Sequence, residues 1–253
     1  MGLLSGKVII STLPSSSHEV LQNLLVPHDA VVLNIPMIEI SPVPVTKEEK
    51  DILKKIEIFN WIVFTSKNGV SFFFDAIAES GIQFPDNLKT AVIGEKTGIE
   101  LLNRIPAVNF ISNTHCSKKF SKEIFNLIDP GDNVLLVLGQ LAANDLETEL
   151  TGVANVCRLN IYRTTKPERI DKKILQQIED NRMDLLLFSS PSAFVNFIGE
   201  LGLPNPDFKL VSIGNTTTQA MLDYGCEPLI TATESSINGM ANEIINYYLK
   251  IES

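Results

Sequence analysis

Short apolar, β-branched runs recur along the chain: Val8 to Ser11, Trp61 to Phe64, Thr90 to Ile93, Val134 to Leu138, Leu185 to Phe188 and Leu210 to Ile213. Runs without polar alternation are the mark of strands covered on both faces, so they predict parallel β-strands. Between them apolar residues fall at three- and four-residue spacing. Ile237, Met240, Ala241, Ile244, Ile245 and Tyr248 are one such set, and it predicts a helix that lays one apolar stripe on a sheet. Strands alternating with helices define an α/β fold of parallel sheets flanked by helices.

The pattern also repeats at long range, because the chain resembles itself when slid by about half its length. Gly6-Lys7-Val8-Ile9-Ile10 is echoed by Asp132-Asn133-Val134-Leu135-Leu136, and Leu33-Asn34-Ile35 by Leu159-Asn160-Ile161, both at an offset of 126 residues. Phe64-Thr65-Ser66 with Asn68 matches Phe188-Ser189-Ser190 with Ser192 at an offset of 124. Ala91-Val92-Ile93-Gly94 with Thr97 matches Val211-Ser212-Ile213-Gly214 with Thr217 at 120, and Ile111-Ser112-Asn113-Thr114 matches Ile230-Thr231-Ala232-Thr233 at 119. Landmarks that keep their order while the offset drifts are what an internal duplication leaves when loops shorten. Two similar domains are therefore expected. Proline-bearing pieces at residues 40–45 and 164–167 disfavour helix and mark the crossovers between halves. The repeat leaves open whether each half is contiguous or the halves exchange segments.

Composition narrows the function. A chain of 253 residues has room for two domains of ordinary size. A formal net charge of −9 with only five arginines excludes a basic footprint for nucleic acid. The three cysteines, Cys116, Cys157 and Cys226, are far apart, with no CxxC pair or histidine cluster, so they read as reduced, mostly buried thiols and predict no metal. The apolar stretch Val8 to Ile10 is too short for a signal peptide or a membrane span, so no membrane partner and a cytoplasmic location are expected.

Each half sets hydroxyl, amide and glycine residues where strands give way to helices: Thr65, Ser66 and Asn68; Gly94 and Thr97; Ser189, Ser190 and Ser192; Gly214, Thr216 and Thr217; Ser235 and Ser236. In open α/β sheets that edge binds ligands, and helix amino ends carry unpaired amides that hold carboxylates or phosphates without many arginines. The same Ser and Thr residues also serve as ordinary N-caps. Neither a GxxxxGK[ST] nor a GxGxxG run is present, and no GxSxG nucleophile turn occurs. His18, His28 and His115 lack a carboxylate-and-serine constellation and read as surface or loop residues; Glu147 and Glu149 read as solvated helix charge, and Trp61 as core.

Three blocks, Phe64-Thr65-Ser66-Lys67-Asn68-Gly69-Val70, Asn160-Ile161-Tyr162-Arg163-Thr164 and Ile213-Gly214-Asn215-Thr216-Thr217, resemble those of uroporphyrinogen-III synthases, and the similarity covers essentially the whole chain. The resemblance implies two α/β domains, residues 1–36 with 165–253 and residues 42–161, joined by a two-stranded linker near 37–41 and 162–164. It implies a cytoplasmic, monomeric lyase of porphyrin and heme biosynthesis with no cofactor. Its substrate would be hydroxymethylbilane, a linear tetrapyrrole polycarboxylate, cyclised in a cleft between the domains to uroporphyrinogen III through a spiro intermediate that inverts the last pyrrole ring. Tyr162 matches the tyrosine proposed in that family to assist departure of the hydroxyl, and the serine, threonine and glycine turns match its substrate-contacting turns. Where the family often has arginines, this chain reads Ser11-Thr12-Leu13-Pro14 and Gly139-Gln140-Leu141-Ala142. That departure keeps open a non-catalytic tetrapyrrole- or polycarboxylate-binding relative.

Overall fold

Strand and helix alternate along the whole chain. The computed structural model describes residues 2–44, 46–114 and 117–252, except the side chains of 117 and 252. The chain opens with β1 (Val8–Ser11), α1 (Ser15–Leu25) and β2 (Val31–Asn34). It continues through β3 (Glu39–Pro42), α2 (Lys47–Lys54), β4 (Trp61–Phe64), α3 (Lys67–Glu79), β5 (Lys89–Ile93) and α4 (Glu95–Leu102). Next come β6 (Phe110–Ser112), α5 (Ser117–Phe125), β7 (Asn133–Gly139), α6 (Asp145–Leu150) and β8 (Asn155–Thr165). The last third supplies α7 (Lys172–Glu179), β9 (Leu185–Phe188), α8 (Pro191–Leu201), β10 (Leu210–Ser212), α9 (Asn215–Leu222), β11 (Ile230–Thr231) and α10 (Ile237–Glu252).

These elements gather into two compact units, residues 1–39 with 165–253 and residues 40–164. The first holds a parallel sheet in the order β11-β10-β9-β1-β2; the second holds a sheet in the order β3-β8-β7-β4-β5-β6, with β4 to β8 paired in parallel. Matching β1 to β7, β2 to β8 and β9, β10, β11 to β4, β5, β6 superposes the two orders, so the sequence repeat is also a repeat of topology. Residues 39–41 belong to β3 and residues 162–164 to β8; the two strands lie side by side, and the Val43 amide donates to the Ile161 carbonyl at 3.0 Å.

Both faces of each sheet are covered, which explains the unbroken apolar runs. In the first unit Ile9, Leu185, Leu187 and Val211 pack under α1 and α10, while Ile10, Leu186 and Phe188 meet Phe194, Phe197 and Met221 on the opposite face. In the second, Ile62, Phe64, Val92 and Leu135 pack with Val70 and Phe73 of α3, while Trp61, Val63 and Leu136 meet Phe120 and Ile124 of α5. Trp61 is core at 4% exposure. Cys157 and Cys226 are half-buried rather than buried, and Cys116 and His115 lie outside the described residues.

In each unit the winding reverses once. The first unit grows outward from β1 to β2 and from β9 through β10 to β11, so the reversal falls between the neighbours β1 and β9; in the second it falls between β7 and β4. Loops diverge above such a reversal and leave a crevice outside the carboxyl ends of the strands.

Candidate functional site

The sequence-predicted turns all lie at carboxyl ends of strands. Thr65 and Ser66 follow β4, Gly94 follows β5, Ser189 and Ser190 follow β9, and Gly214 follows β10. Ser66 and Ser190 spend their hydroxyls on capping: Ser66 Oγ accepts from the Gly69 amide at 3.1 Å and Ser190 Oγ from the Ala193 amide at 3.1 Å. Ser190 Oγ also lies 3.1 Å from Ser192 Oγ. Ser236 Oγ accepts from the Gly239 amide at 2.9 Å and donates to Glu234 at 2.7 Å. These hydroxyls start helices, as the N-cap reading of the sequence allows.

The neighbouring helices in each unit are different. Glycine opens both α4 and α9, so no side chain caps their first amides. Gly94 sits at φ 80°, a conformation an L side chain rarely adopts. Thr97 and Thr217 occupy equivalent places one turn in, at 5% and 2% exposure, each amide donating to the preceding glycine carbonyl. A Cβ on Gly214 would lie 2.2 Å from Ser235 Oγ, so the turns after β10 and β11 are in direct contact. Ser192, Thr216 and Ser235 are exposed, whereas Thr65, Asn68 and Ser189 are half-buried. An uncapped helix amino end flanked by hydroxyls suits a carboxylate.

Tyr162 joins this edge in the second unit. It lies near the end of β8, half-buried, and its hydroxyl is 3.0 Å from Ser66 Oγ, a residue 96 positions away in sequence. Its ring stacks on Phe72 of α3 at 6.1 Å, and its carbonyl accepts from the Gln140 amide at 2.8 Å. The ring covers Gly139: a Cβ there would lie 2.6 Å from Tyr162 Cζ. The ladder between β7 and β8 slips at Leu138/Gly139, which sets Tyr162 opposite Gly139. Tyr162, Ser66 and Gly139 thus cluster where winding reverses between β7 and β4. Sequence reading singled out Tyr162 and Ser66 but not their bond. Gly139 entered it only as a place where an arginine was missing.

Beside this cluster Arg158 of β8 ties down the loop after β7. Its guanidinium donates to Asn160 Oδ1 at 2.9 Å, Asn144 Oδ1 at 2.7 Å and the Ala142 carbonyl at 2.8 Å, and reaches Glu147 at 3.4 Å. Glu147, expected to be free helix charge, is therefore a partner. Among the described residues no group of three or more His, Cys, Asp or Glu could hold a metal, and no helix is long and apolar enough to cross a membrane.

Fold and edge together define a duplicated, doubly wound α/β protein with hydroxyl- and glycine-bearing turns at the carboxyl ends of both sheets. The family model of uroporphyrinogen-III synthase HemD matches residues 19–242. A porphyrin biosynthesis protein HemD of Ruminiclostridium josui is 24% identical over 246 residues, which are 96% of this chain; the chain spans about half (49%) of that protein's length. Two crystal structures share the fold. A uroporphyrinogen-III synthetase of Helicobacter pylori has TM-score 0.64 and 18% identity, covering 95% of this chain and 99% of that one. A mutant uroporphyrinogen III synthase of Thermus thermophilus has TM-score 0.63 and 17% identity, covering 97% of this chain and 100% of that one. The chain belongs to the uroporphyrinogen-III synthase family.

Proposed function

We propose that this protein is a uroporphyrinogen-III synthase, a cyclising lyase that converts hydroxymethylbilane to uroporphyrinogen III. Family membership supports the reaction, and the Tyr162–Ser66 pair over Gly139 is the observation that supports the chemistry. Tyr162 assists departure of the terminal hydroxyl by donating its phenolic proton, so the hydroxyl leaves as water. Ser66 Oγ already accepts from the Gly69 amide, which polarises its own O–H toward the phenol oxygen and stabilises the charge left there. The freed terminal carbon is then attacked by the substituted carbon of the last pyrrole ring. The spiro intermediate reopens and recloses with that ring inverted, and the closing ring gives up its proton.

Most of this reaction is positioning, because the two ends of a flexible chain must meet in one geometry. The glycine-opened helices α4 and α9, with Thr97, Thr216, Thr217 and Ser235 near their first turns, hold substrate carboxylates in this reading. Ser66, Ser190 and Ser236 cap the neighbouring helices α3, α8 and α10, and Thr65, Asn68, Ser189 and Ser192 lie where α3 and α8 begin. The absent arginines after β1 and β7 favour a second reading, a tetrapyrrole-binding relative without ring closure.

The test supplies freshly generated hydroxymethylbilane to the purified protein and separates the oxidised I and III isomers by chromatography. Excess III isomer over spontaneous product is expected, with Tyr162→Phe lowering turnover at nearly constant KM. Only the I isomer, from folded protein that still binds the tetrapyrrole, would replace the synthase with the binding relative.

A further inference from the structure

The first unit has its own polar cluster above the reversal of winding, and none of its side chains takes part in the chemistry above. Ser11 ends β1 fully buried, Asn34 ends β2 beside it in register, and His18 lies in the first turns of α1, half-buried. Ser11 Oγ donates to Asn34 Oδ1 at 2.7 Å, and Asn34 Nδ2 donates to the Leu13 carbonyl at 3.2 Å. The third contact is His18 Nδ1 to Ser11 Oγ at 2.9 Å. Next to them Thr12 bonds the Leu187 carbonyl of β9 through both its amide, at 3.0 Å, and its hydroxyl, at 2.8 Å, which closes the seam between β1 and β9.

The direction of this chain of bonds fixes the ring. The Asn34 amide group faces a carbonyl, so its oxygen must accept from Ser11. The single Ser11 proton is thereby committed, and Ser11 Oγ can only accept from the histidine. Nδ1 therefore carries the hydrogen, and in the neutral ring Nε2 keeps its lone pair, with no hydrogen-bond partner among the described residues. A buried serine and asparagine aligned to hold one tautomer of a half-buried histidine exceed what a surface histidine requires.

We propose that His18 is a substrate-binding residue, with Nε2 receiving one carboxylate of the bound tetrapyrrole at the β1–β9 crevice. The proposal rests on the tetrapyrrole reading and adds a contact to it. In the empty protein burial pulls the imidazole below its ordinary value, against a smaller upward pull from Glu19, so the ring is neutral near pH 7. Among elements packed on α1, α10 carries Glu243, Tyr247, Tyr248 and Lys250, and the turn after α1 carries His28 and Asp29; none of these displaces the ring. An arriving carboxylate reverses the balance. It favours the imidazolium, whose new Nε2–H donates to it, so binding takes up one proton. The site is then uncharged when empty and cationic when filled, in a protein whose net charge is −9.

The probe is uroporphyrin III, a stable octacarboxylate. Its affinity is titrated by fluorescence from pH 5.5 to 8, and the His18 ring is followed by NMR of histidine-labelled protein. In the wild type, affinity should fall about tenfold as pH rises through this range, and the His18 titration should move upward by about one unit on binding, the equivalent tenfold shift. His18→Gln should bind as the wild type does near pH 8 and lose the gain at low pH. Porphyrin binding with an unmoved His18 titration, or an unchanged pH profile in His18→Gln, would overturn the assignment while leaving the tetrapyrrole reading intact. No binding to the wild type at any pH would overturn both.

Discussion

Gly139→Ala isolates the packing that holds Tyr162. The added methyl would lie 2.6 Å from Cζ, 2.8 Å from Cε2 and 2.8 Å from the hydroxyl oxygen of Tyr162. Favourable carbon contacts begin near 3.5 Å, so ring or strand must give by roughly 1 Å. Phe72 stacks on the ring and the Gln140 amide holds the Tyr162 carbonyl, so the ring cannot simply swing aside. Gly139 is not among the glycines at positive φ, so alanine carries no backbone penalty there and the cost is steric. Overpacking of this kind costs about 1–3 kcal/mol, and displacing the ring from Ser66 forfeits a hydrogen bond worth about 1 kcal/mol. Expected outcomes are a lowered denaturant midpoint and a kcat reduced at least tenfold, since about 1.4 kcal/mol in the barrier is a factor of ten. The assay is a double-mutant cycle by urea unfolding. In a Tyr162→Ala background the same methyl fills vacated space, so Gly139→Ala should be close to neutral there, with a coupling of about 1–3 kcal/mol. An equal cost in both backgrounds would refute the steric argument.

Two further predictions concern stability. The Tyr248 hydroxyl is buried without a partner among the described residues, and its phenol is pushed up to about 12 by burial, then by Asp184 and Tyr247. The folded chain keeps a proton that the unfolded chain gives up above about 10, so stability is intact below pH 10 and lost as pH rises from there toward 12. Tyr248→Phe should match or exceed the wild type at pH 8 and lose less at pH 10.5; parallel urea midpoints at both pH values would contradict this. Arg158→Lys replaces a planar fork that serves Asn160, Asn144, Glu147 and Ala142 with one ammonium. It should cost about 1–3 kcal/mol and speed proteolysis after β7, and an unchanged cleavage rate would show that the loop is held by other means.

The apolar runs were legible because burial on both faces removes polar alternation from the strand itself: Val8 to Ser11, Trp61 to Phe64 and Leu185 to Phe188 have the same bounds as β1, β4 and β9. The repeat was legible because duplicated strand-to-helix turns keep their Ser, Gly and Thr residues in order, and the matching sheet orders carry the same duplication in space. The glycine-threonine pairs were legible too, since Gly94 with Thr97 and Gly214 with Thr217 share one hydrogen-bond pattern, each threonine amide donating to the glycine carbonyl.

What the sequence could not display is which distant side chains share a hydrogen bond. His18 reads as a surface residue in one dimension; in the fold it is a half-buried ring steered by Ser11 and Asn34. Gly139 has no side chain to announce a role, and its importance is that Tyr162 occupies the space a side chain would need. Local pattern records burial and backbone conformation, which each residue senses through its near neighbours. The Ser66–Tyr162 bond depends instead on a ladder slip between β7 and β8 and on the pairing of β4 with β7, and those registers exist only after the sheet has closed. Periodicity thus determined the layers and the repeat, and the tertiary structure decided which polar groups meet above them.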